Sequence, residues 1–215
     1  MAKSSSDRGL TRLGGRWYVP RRMRARRLPA AFALAVTGLT LLAACTNSLV
    51  APANVENVVD TVTLYALSGT PLATPSAYAI NGRLRVRIDQ SLLFDFAFNF
   101  DSQRRPVFLP AGALGLPTVT LQPGFQLSTA PFVDLTLAPL DGYETANPFV
   151  VDIGSVVLAR SRSLQPCPDG TVQSLYAKLH VLAVDTAATA RTIRFEILTD
   201  QNCAYRGLAP GIPGQ

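Results

Sequence analysis

Two stretches near the end of the chain decide its fold class: LYAKLHVLAV at residues 175–184 and RTIRFEILT at residues 191–199. In both, apolar side chains recur at every second position, so they would line one face of an extended strand. A third apolar run, VVLARSR at residues 156–162, precedes them. Together the three runs predict an antiparallel meander.

Matching the apolar faces of the last two strands predicts their register. Leu179 would lie opposite Phe195, and Lys178 opposite Glu196, an opposite-charge pair. Lys178 and His180, the only histidine, then fall on the polar face, where the charged neighbours of His180 are cationic. A catalytic histidine needs a nucleophile or a carboxylate within reach. We therefore expect a surface histidine without a catalytic role.

Residues 92–100, LLFDFAFNF, alternate in the same way. One face carries Leu92, Phe94, Phe96, Phe98 and Phe100, and the other carries Asp95 and Asn99. Two interpretations are open, because such a row of aromatic side chains either fills the core of a sandwich or lines a ligand cavity. The core is the more common use of such a row, and it is the interpretation that we favour.

Asn81-Gly82 lies between strand-like residues 77–80 and 83–88. This dipeptide is typical of a type I′ hairpin, in which both central residues need positive φ. Leu84, Val86 and Ile88 would share one face of the second strand, and Arg83, Arg85 and Arg87 the other. The arginine row either contacts an anionic partner or lipid headgroup, or is a solvated face that discourages edge pairing. We favour the second interpretation.

The remaining strand signals are residues 58–67 and two weaker pieces at 118–122 and 133–138. Between residues 101 and 148, repeated prolines exclude a long helix. We therefore predict an all-β, antiparallel domain that is sandwich-like or a partly closed barrel.

The N-terminal region has the pattern of a secretory signal. Residues 21–27 contain five arginines, and residues 28–44 contain no charge. Arginines ahead of an apolar run that ends in small residues are the marks of a signal peptide. The run spans 17 residues, fewer than the roughly 20 that a spanning helix needs.

The end of this run, Leu42-Ala43-Ala44-Cys45, resembles the lipobox of bacterial lipoproteins. The resemblance implies that Cys45 is lipidated and becomes the first residue of the mature protein. Thr46 follows where lipoproteins of the inner membrane typically carry Asp, which points to the outer membrane. We thus expect a leader and lipoprotein signal peptide (1–44), a tether (45–56) and a single β-rich domain (57–215).

Charge is divided unevenly along the chain. The net charge of the whole chain is +6, but residues 1–44 hold eight arginines and Lys3 against Asp7, which leaves a net charge of −2 for the remainder. Nucleic-acid binding depends on a basic surface. We therefore expect no nucleic-acid partner for the mature domain.

The chain has three cysteines. If Cys45 is lipidated, Cys167 and Cys203 remain, and an even pair in an exported domain predicts a disulfide. The two cysteines follow the first and third strands of the meander, so they lie at the same end of it. Two cysteines with one distant histidine do not make a four-ligand site, so we expect no metal.

The chemistry-bearing residues form no motif. The chain has no phosphate-binding glycine loop or Gly-x-Ser-x-Gly elbow, and its acidic residues are scattered. The aromatic sites at 141–143 and 202–206 are either interface anchors or turn residues.

We predict a lipid-anchored envelope protein that acts as a non-enzymatic binding or structural module, without a cofactor and with the membrane as its one identified partner. The alternative is a secreted hydrolase whose carboxylates converge only in the fold.

Overall fold

A computed structural model describes residues 51–116, 120–163, 167 and 170–214. The predicted signal peptide, Cys45 and the strand-like residues 118–119 lie outside these ranges. No helix in the described ranges is long and apolar enough to span a membrane.

The described chain forms ten strands in two antiparallel sheets. In chain order they are β1 (Val59–Tyr65), β2 (Ala77–Ala79), β3 (Leu84–Val86), β4 (Phe96–Phe100), β5 (Pro106–Pro110), β6 (Gly124–Ser128), β7 (Phe149–Val150), β8 (Val156–Arg160), β9 (Tyr176–Asp185) and β10 (Thr192–Asp200). One sheet has the order β1-β10-β9-β8-β6 and the other β3-β2-β4-β5-β7. The all-β, sandwich-like prediction is confirmed, and neither sheet closes into a barrel.

Aromatic side chains from both sheets fill the space between them. Phe96 of β4 lies 5.2 Å from Phe108 of β5, 5.1 Å from Phe125 of β6 and 6.2 Å from Phe195 of β10, measured between ring centroids. Edge-to-face and tilted contacts at these distances stabilise a core beyond simple burial. The interpretation of Phe96 and Phe98 as core residues, rather than the lining of a cavity, is confirmed, because both are fully buried in this cluster.

The alternation predicted for residues 92–100 begins only at Phe96. Leu92 is 58% exposed, and Phe94 packs in a separate cluster with Ala77 and Ala97. The chain bends ahead of β4 at Asp95, whose carboxylate accepts backbone hydrogen bonds instead of facing solvent. The buried hydrogen bonds of Asp95 therefore determine the backbone here, and the alternation of side chains with a period of two holds only from Phe96 onward.

The meander β8-β9-β10 is confirmed, but its predicted register is wrong by two residues. Phe195 lies opposite Val181, and Ile197 lies opposite Leu179. A bulge interrupts the ladder between Arg194 and Phe195 and leaves Leu182 without a partner residue. The extra residue moves the inward position of β9 from Val181 to Val184. Because residues 181–184 are all apolar, the hydrophobic pattern alone does not reveal this change.

Part of the outer face of this sheet is covered by irregular segments. Tyr176 and Leu198 pack there against Phe132 and Leu208 from irregular segments. Lys178, predicted on a polar face, is 1% exposed. Its Nζ donates hydrogen bonds to the carbonyl oxygens of Phe132 and Leu135 at 2.7 and 2.9 Å. Burial lowers the pKa of Lys178. The two hydrogen bonds of its amine connect the covering segment to the sheet.

The strand prediction for residues 133–138 is wrong. A 3₁₀ turn, Phe132–Asp134, overlaps the start of this range and is followed by a single bridge between Leu137 and Gly207. Residues 120–122, the described part of the weak strand predicted at 118–122, are not a strand and lie ahead of β6, which begins at Gly124. Both pieces are short apolar runs in a proline-rich region, where local composition does not distinguish a strand from a covering loop.

The β2–β3 hairpin is confirmed, but its turn is not type I′. The loop spans residues 80–83, because Ala79 pairs with Leu84. Positive φ occurs at Gly82 and Arg83, at 75° and 57°, and not at Asn81. Contacts with the other sheet hold this form, since the Gly82 amide donates to Gln201 Oε1 at 2.8 Å. Tertiary contacts therefore override the preference of the dipeptide.

Candidate functional site

A cleft of about 450 Å³ opens beside the β2–β3 hairpin. We call it the arginine cleft, because Arg85, Arg87 and Arg162 line it. Leu84 and Leu93 supply apolar walls, and they are 57% and 70% exposed. The site thus combines cationic and apolar groups on one open surface.

The floor of the cleft forms because β3 ends after three residues and the chain turns back. The amides of Gln90 and Ser91 both donate to the Arg87 carbonyl oxygen at 3.1 Å. Arg87 also binds the Asp89 carboxylate through its guanidinium at 2.7 Å. The Arg87 guanidinium lowers the pKa of Asp89 through this hydrogen bond. The turn therefore holds Arg87 beside Arg85.

Arg162 reaches the cleft from the other sheet, and Asp95 fixes its position. Asp95 Oδ1 accepts the backbone amide of Arg162 at 2.8 Å, and Oδ2 accepts the amide of Ile80 at 2.7 Å. The Arg162 guanidinium nitrogen Nε lies 4.0 Å from Oδ1. Asp95 therefore joins the hairpin loop to the strand end that carries Arg162.

Burial raises the pKa of Asp95, despite the two amides and the arginine that favour its charged form. A carboxyl group whose pKa is raised on folding stabilises the fold below its unfolded pKa of about 4, and this contribution is lost as the pH rises through the folded-state value. We therefore expect the unfolding free energy of the wild type, minus that of Asp95→Asn, to fall as the pH rises from 4.

Urea denaturation at a series of pH values measures this difference. Asp89→Asn is the matched control. The pKa of Asp89 is lowered in the fold, so its difference should fall only as the pH drops below about 4 and should stay level above that pH. Parallel pH profiles for wild type and Asp95→Asn would contradict the burial of a carboxyl group at this position.

The predicted arginine row is divided by the fold. Arg83 does not line the cleft. Its Nε donates to Thr199 Oγ1 at 2.9 Å, and its Nη2 donates to the Glu56 carbonyl oxygen at 2.7 Å. Arg85 and Arg87 remain in the cleft, and Arg162 joins them. Sequence reasoning missed Arg162 because it is the last residue of a predicted strand and carries no local signal of its partners.

A second cleft, of about 410 Å³, lies at the turn between β9 and β10. Arg104 and Arg191 line it together with Phe100. The Arg191 guanidinium lies 5.0 Å from the centroid of the Phe100 ring, a cation–π distance. β10 begins at Thr192, beside this cleft, whereas Thr199 near its other end contacts Arg83 of the β2–β3 loop. The two clefts therefore lie at opposite ends of β10.

Cys167 and Cys203 form the expected disulfide, with Cα atoms 5.9 Å apart. Both lie beyond the ends of strands at one end of the meander, as their sequence positions predict. The bridge fixes the loop that follows β10, and Asn202 and Tyr205 of that loop are buried. Cys45, the predicted lipidation site, lies outside the described residues.

The C-terminal loop binds residues 51–56, which we call the N-terminal segment. Asn202 Oδ1 accepts the amides of Asn54 and Val55, both at 2.9 Å, and Asn202 Nδ2 donates to the Val55 carbonyl oxygen. The Tyr205 hydroxyl accepts the Ala53 amide at 3.0 Å. The aromatic site at 202–206 therefore holds the chain's own N-terminal segment, within the stretch expected to be a tether.

His180 has a carboxylate neighbour, contrary to the sequence expectation. The two-residue difference in register places it opposite Glu196, and its Nδ1 lies 2.8 Å from Glu196 Oε1. A carboxylate orients imidazole in this way in hydrolytic triads. Within the described residues, however, no hydroxyl or thiol is hydrogen-bonded to the other ring nitrogen of His180.

Hydrolysis by paired carboxylates requires two acids that face each other across a cleft. No described acidic residue lines either of the two clefts. The buried acids Asp95 and Asp200 accept backbone amides instead, and burial raises the pKa of both. In the described part of the chain, no three His, Cys, Asp or Glu side chains are grouped closely enough to hold a metal ion.

The geometry therefore offers an open cationic and apolar surface as the candidate site. No protein-family model matches the chain, and no curated protein matches it significantly.

Proposed function

We propose that this protein is a lipid-anchored component of the bacterial cell envelope, held at the outer membrane through Cys45, and that its β domain is a non-enzymatic binding module. The N-terminal arginines, the apolar run and the lipobox-like Leu42-Ala43-Ala44-Cys45 support export and lipidation.

The use of the cysteines carries the proposal. The chain has three, and the Cys167–Cys203 bridge takes two of them. Structural disulfides belong to oxidising compartments and are rare in the cytosol. The cysteine outside the bridge is the one that ends the apolar run, where a lipoprotein carries its acyl group.

The arginine cleft supports a binding role in preference to the hydrolase alternative. Its charged lining groups are arginines, which bind anions through paired hydrogen bonds. Each buried carboxylate, in contrast, is engaged by backbone amides. These contacts favour a surface that recognises an anionic partner.

Metabolic labelling with radioactive palmitate tests the anchor. We expect label in the wild-type protein and none in Cys45→Ala, because the Cys45 thiol is the group that receives the diacylglyceryl unit carrying the labelled acyl chains. Cys167→Ala is the matched control, and its folded, exported fraction should keep the label. Equal labelling of Cys45→Ala and wild type would refute the proposal.

A further inference from the structure

We propose that the arginine cleft is a second membrane contact of this protein, which binds the phosphate of an anionic lipid headgroup in the bilayer that holds the anchor. The inference rests on the proposed function, because it takes Cys45 as the point of attachment.

The composition of the surface fits a bilayer interface. Arg85 is exposed and forms no ion pair among the described residues, so its guanidinium is available to a phosphate. Leu84 and Leu93 line the same cleft and are 57% and 70% exposed. Leu92, next to Leu93 in the chain, is 58% exposed. Cationic side chains around exposed leucines are the composition of protein surfaces that lie in the headgroup region.

Arg162 adds a third guanidinium group to the cleft. Its backbone is held by Asp95 at 2.8 Å, and its half-buried side chain lines the cleft opposite the hairpin. Asp95 is buried beneath this wall and does not itself line the cleft. A phosphate in the cleft would therefore meet guanidinium groups from both sheets.

The cleft adjoins the point at which the chain leaves the domain towards Cys45. The hairpin loop that leads into the cleft is bound to the N-terminal segment, since Arg83 Nη2 donates to the Glu56 carbonyl oxygen at 2.7 Å. Asn81 and Leu84, on either side of Arg83 in the chain, both line the cleft. The cleft and the N-terminal segment therefore lie at the same end of the molecule.

The length of the remaining chain keeps this end near the bilayer. Six residue steps separate Cys45 from Ala51, which span at most about 22 Å when fully extended. A short connection raises the effective concentration of a second binding site, so even a weak headgroup contact is occupied. The second cleft lies at the other end of β10 and does not share this advantage.

A tryptophan at position 93 reports the contact. The chain has a single tryptophan, Trp17, which cleavage before Cys45 would remove, so Leu93→Trp gives the processed protein a unique fluorophore. The protein is reconstituted through its anchor into vesicles of phosphatidylethanolamine with or without phosphatidylglycerol, both with brominated acyl chains. We expect the fluorescence to be quenched in the anionic vesicles and to recover in high salt.

Charge reversal tests the arginines. Each cationic side chain near an anionic surface strengthens association roughly fivefold, so Arg85→Glu with Arg87→Glu should lower the docked-to-undocked ratio about 25-fold or more. The matched control is Arg104→Glu with Arg105→Glu, because Arg105 is paired with Asp101 as Arg87 is with Asp89. The control should keep the quenching, and equal melting temperatures show that both variants are folded.

The outcomes separate the two proposals. Absence of palmitate label refutes the anchor, and the unlipidated chain is then tested by co-sedimentation with the same vesicles. In either form, binding that is equal in neutral and anionic vesicles, or that survives reversal of Arg85 and Arg87, overturns the headgroup site. Loss of quenching on adding inorganic phosphate without any dependence on lipid charge would assign the cleft to free phosphate and likewise overturn it.

Discussion

Phe96→Ala is expected to lower the free energy of unfolding by about 3–5 kcal/mol, the range observed when a buried phenylalanine is truncated in a packed core. The side chain is 1% exposed and contacts aromatic rings from both sheets. Its removal leaves a cavity at the centre of the sandwich, and the rigid rings of Phe108 and Phe125 cannot collapse into it without losing their mutual contact at 5.3 Å.

Chemical denaturation of the purified protein measures this loss, with Val133→Ala as the control. Val133 is 78% exposed, so its truncation should change the unfolding free energy by no more than about 0.5 kcal/mol. A loss below about 1 kcal/mol for Phe96→Ala would mean that the two sheets do not pack through this residue.

Reduction of the Cys167–Cys203 disulfide is expected to lower the unfolding free energy by about 3–4 kcal/mol. The bridge joins residues 36 apart in the chain, and in the chain-entropy model a loop of this length restricts the unfolded state by about that amount. Folding should survive, because the aromatic core between the sheets does not depend on the bridge.

The effect should also be local. Asn202 is adjacent to Cys203, and it accepts the amides of Asn54 and Val55. Reduction should therefore accelerate hydrogen exchange at these two amides more than at the β4 amides of the core. Cys167→Ser with Cys203→Ser should reproduce both effects without reductant. Two titratable thiols in the native, non-reduced protein would contradict the bridge.

The strands that could be predicted from sequence are those with a long, regular apolar alternation. The alternation predicts β9 and β10 because every second side chain of these strands enters the core, as Leu179 and Val181 do in β9 and Phe195 and Ile197 do in β10. The register between them could not be found, and the bulge that leaves Leu182 unpaired was hidden because residues 181–184 are all apolar. A shift by two residues has no signature in a pattern with a period of two.

The candidate site was only partly visible in the sequence. Arg85 and Arg87 stood out as neighbours in one strand, whereas Arg162 is 75 residues beyond Arg87 in the chain and reaches the cleft only through the contact between the sheets. Lys178 was misplaced for a related reason. Its alternation predicts the outer face correctly, but the segment that buries this face is irregular and has no period of its own.

The docking of residues 51–56 also determines how the protein bears mechanical load. Tension on the chain ahead of Ala51 reaches first the hydrogen bonds of Tyr205 and Asn202 with Ala53, Asn54 and Val55. The next residue after Asn202 is Cys203, which is covalently joined to Cys167. The crosslink keeps the loop in place while these hydrogen bonds bear the load, and once they break the tension passes along the chain to β1.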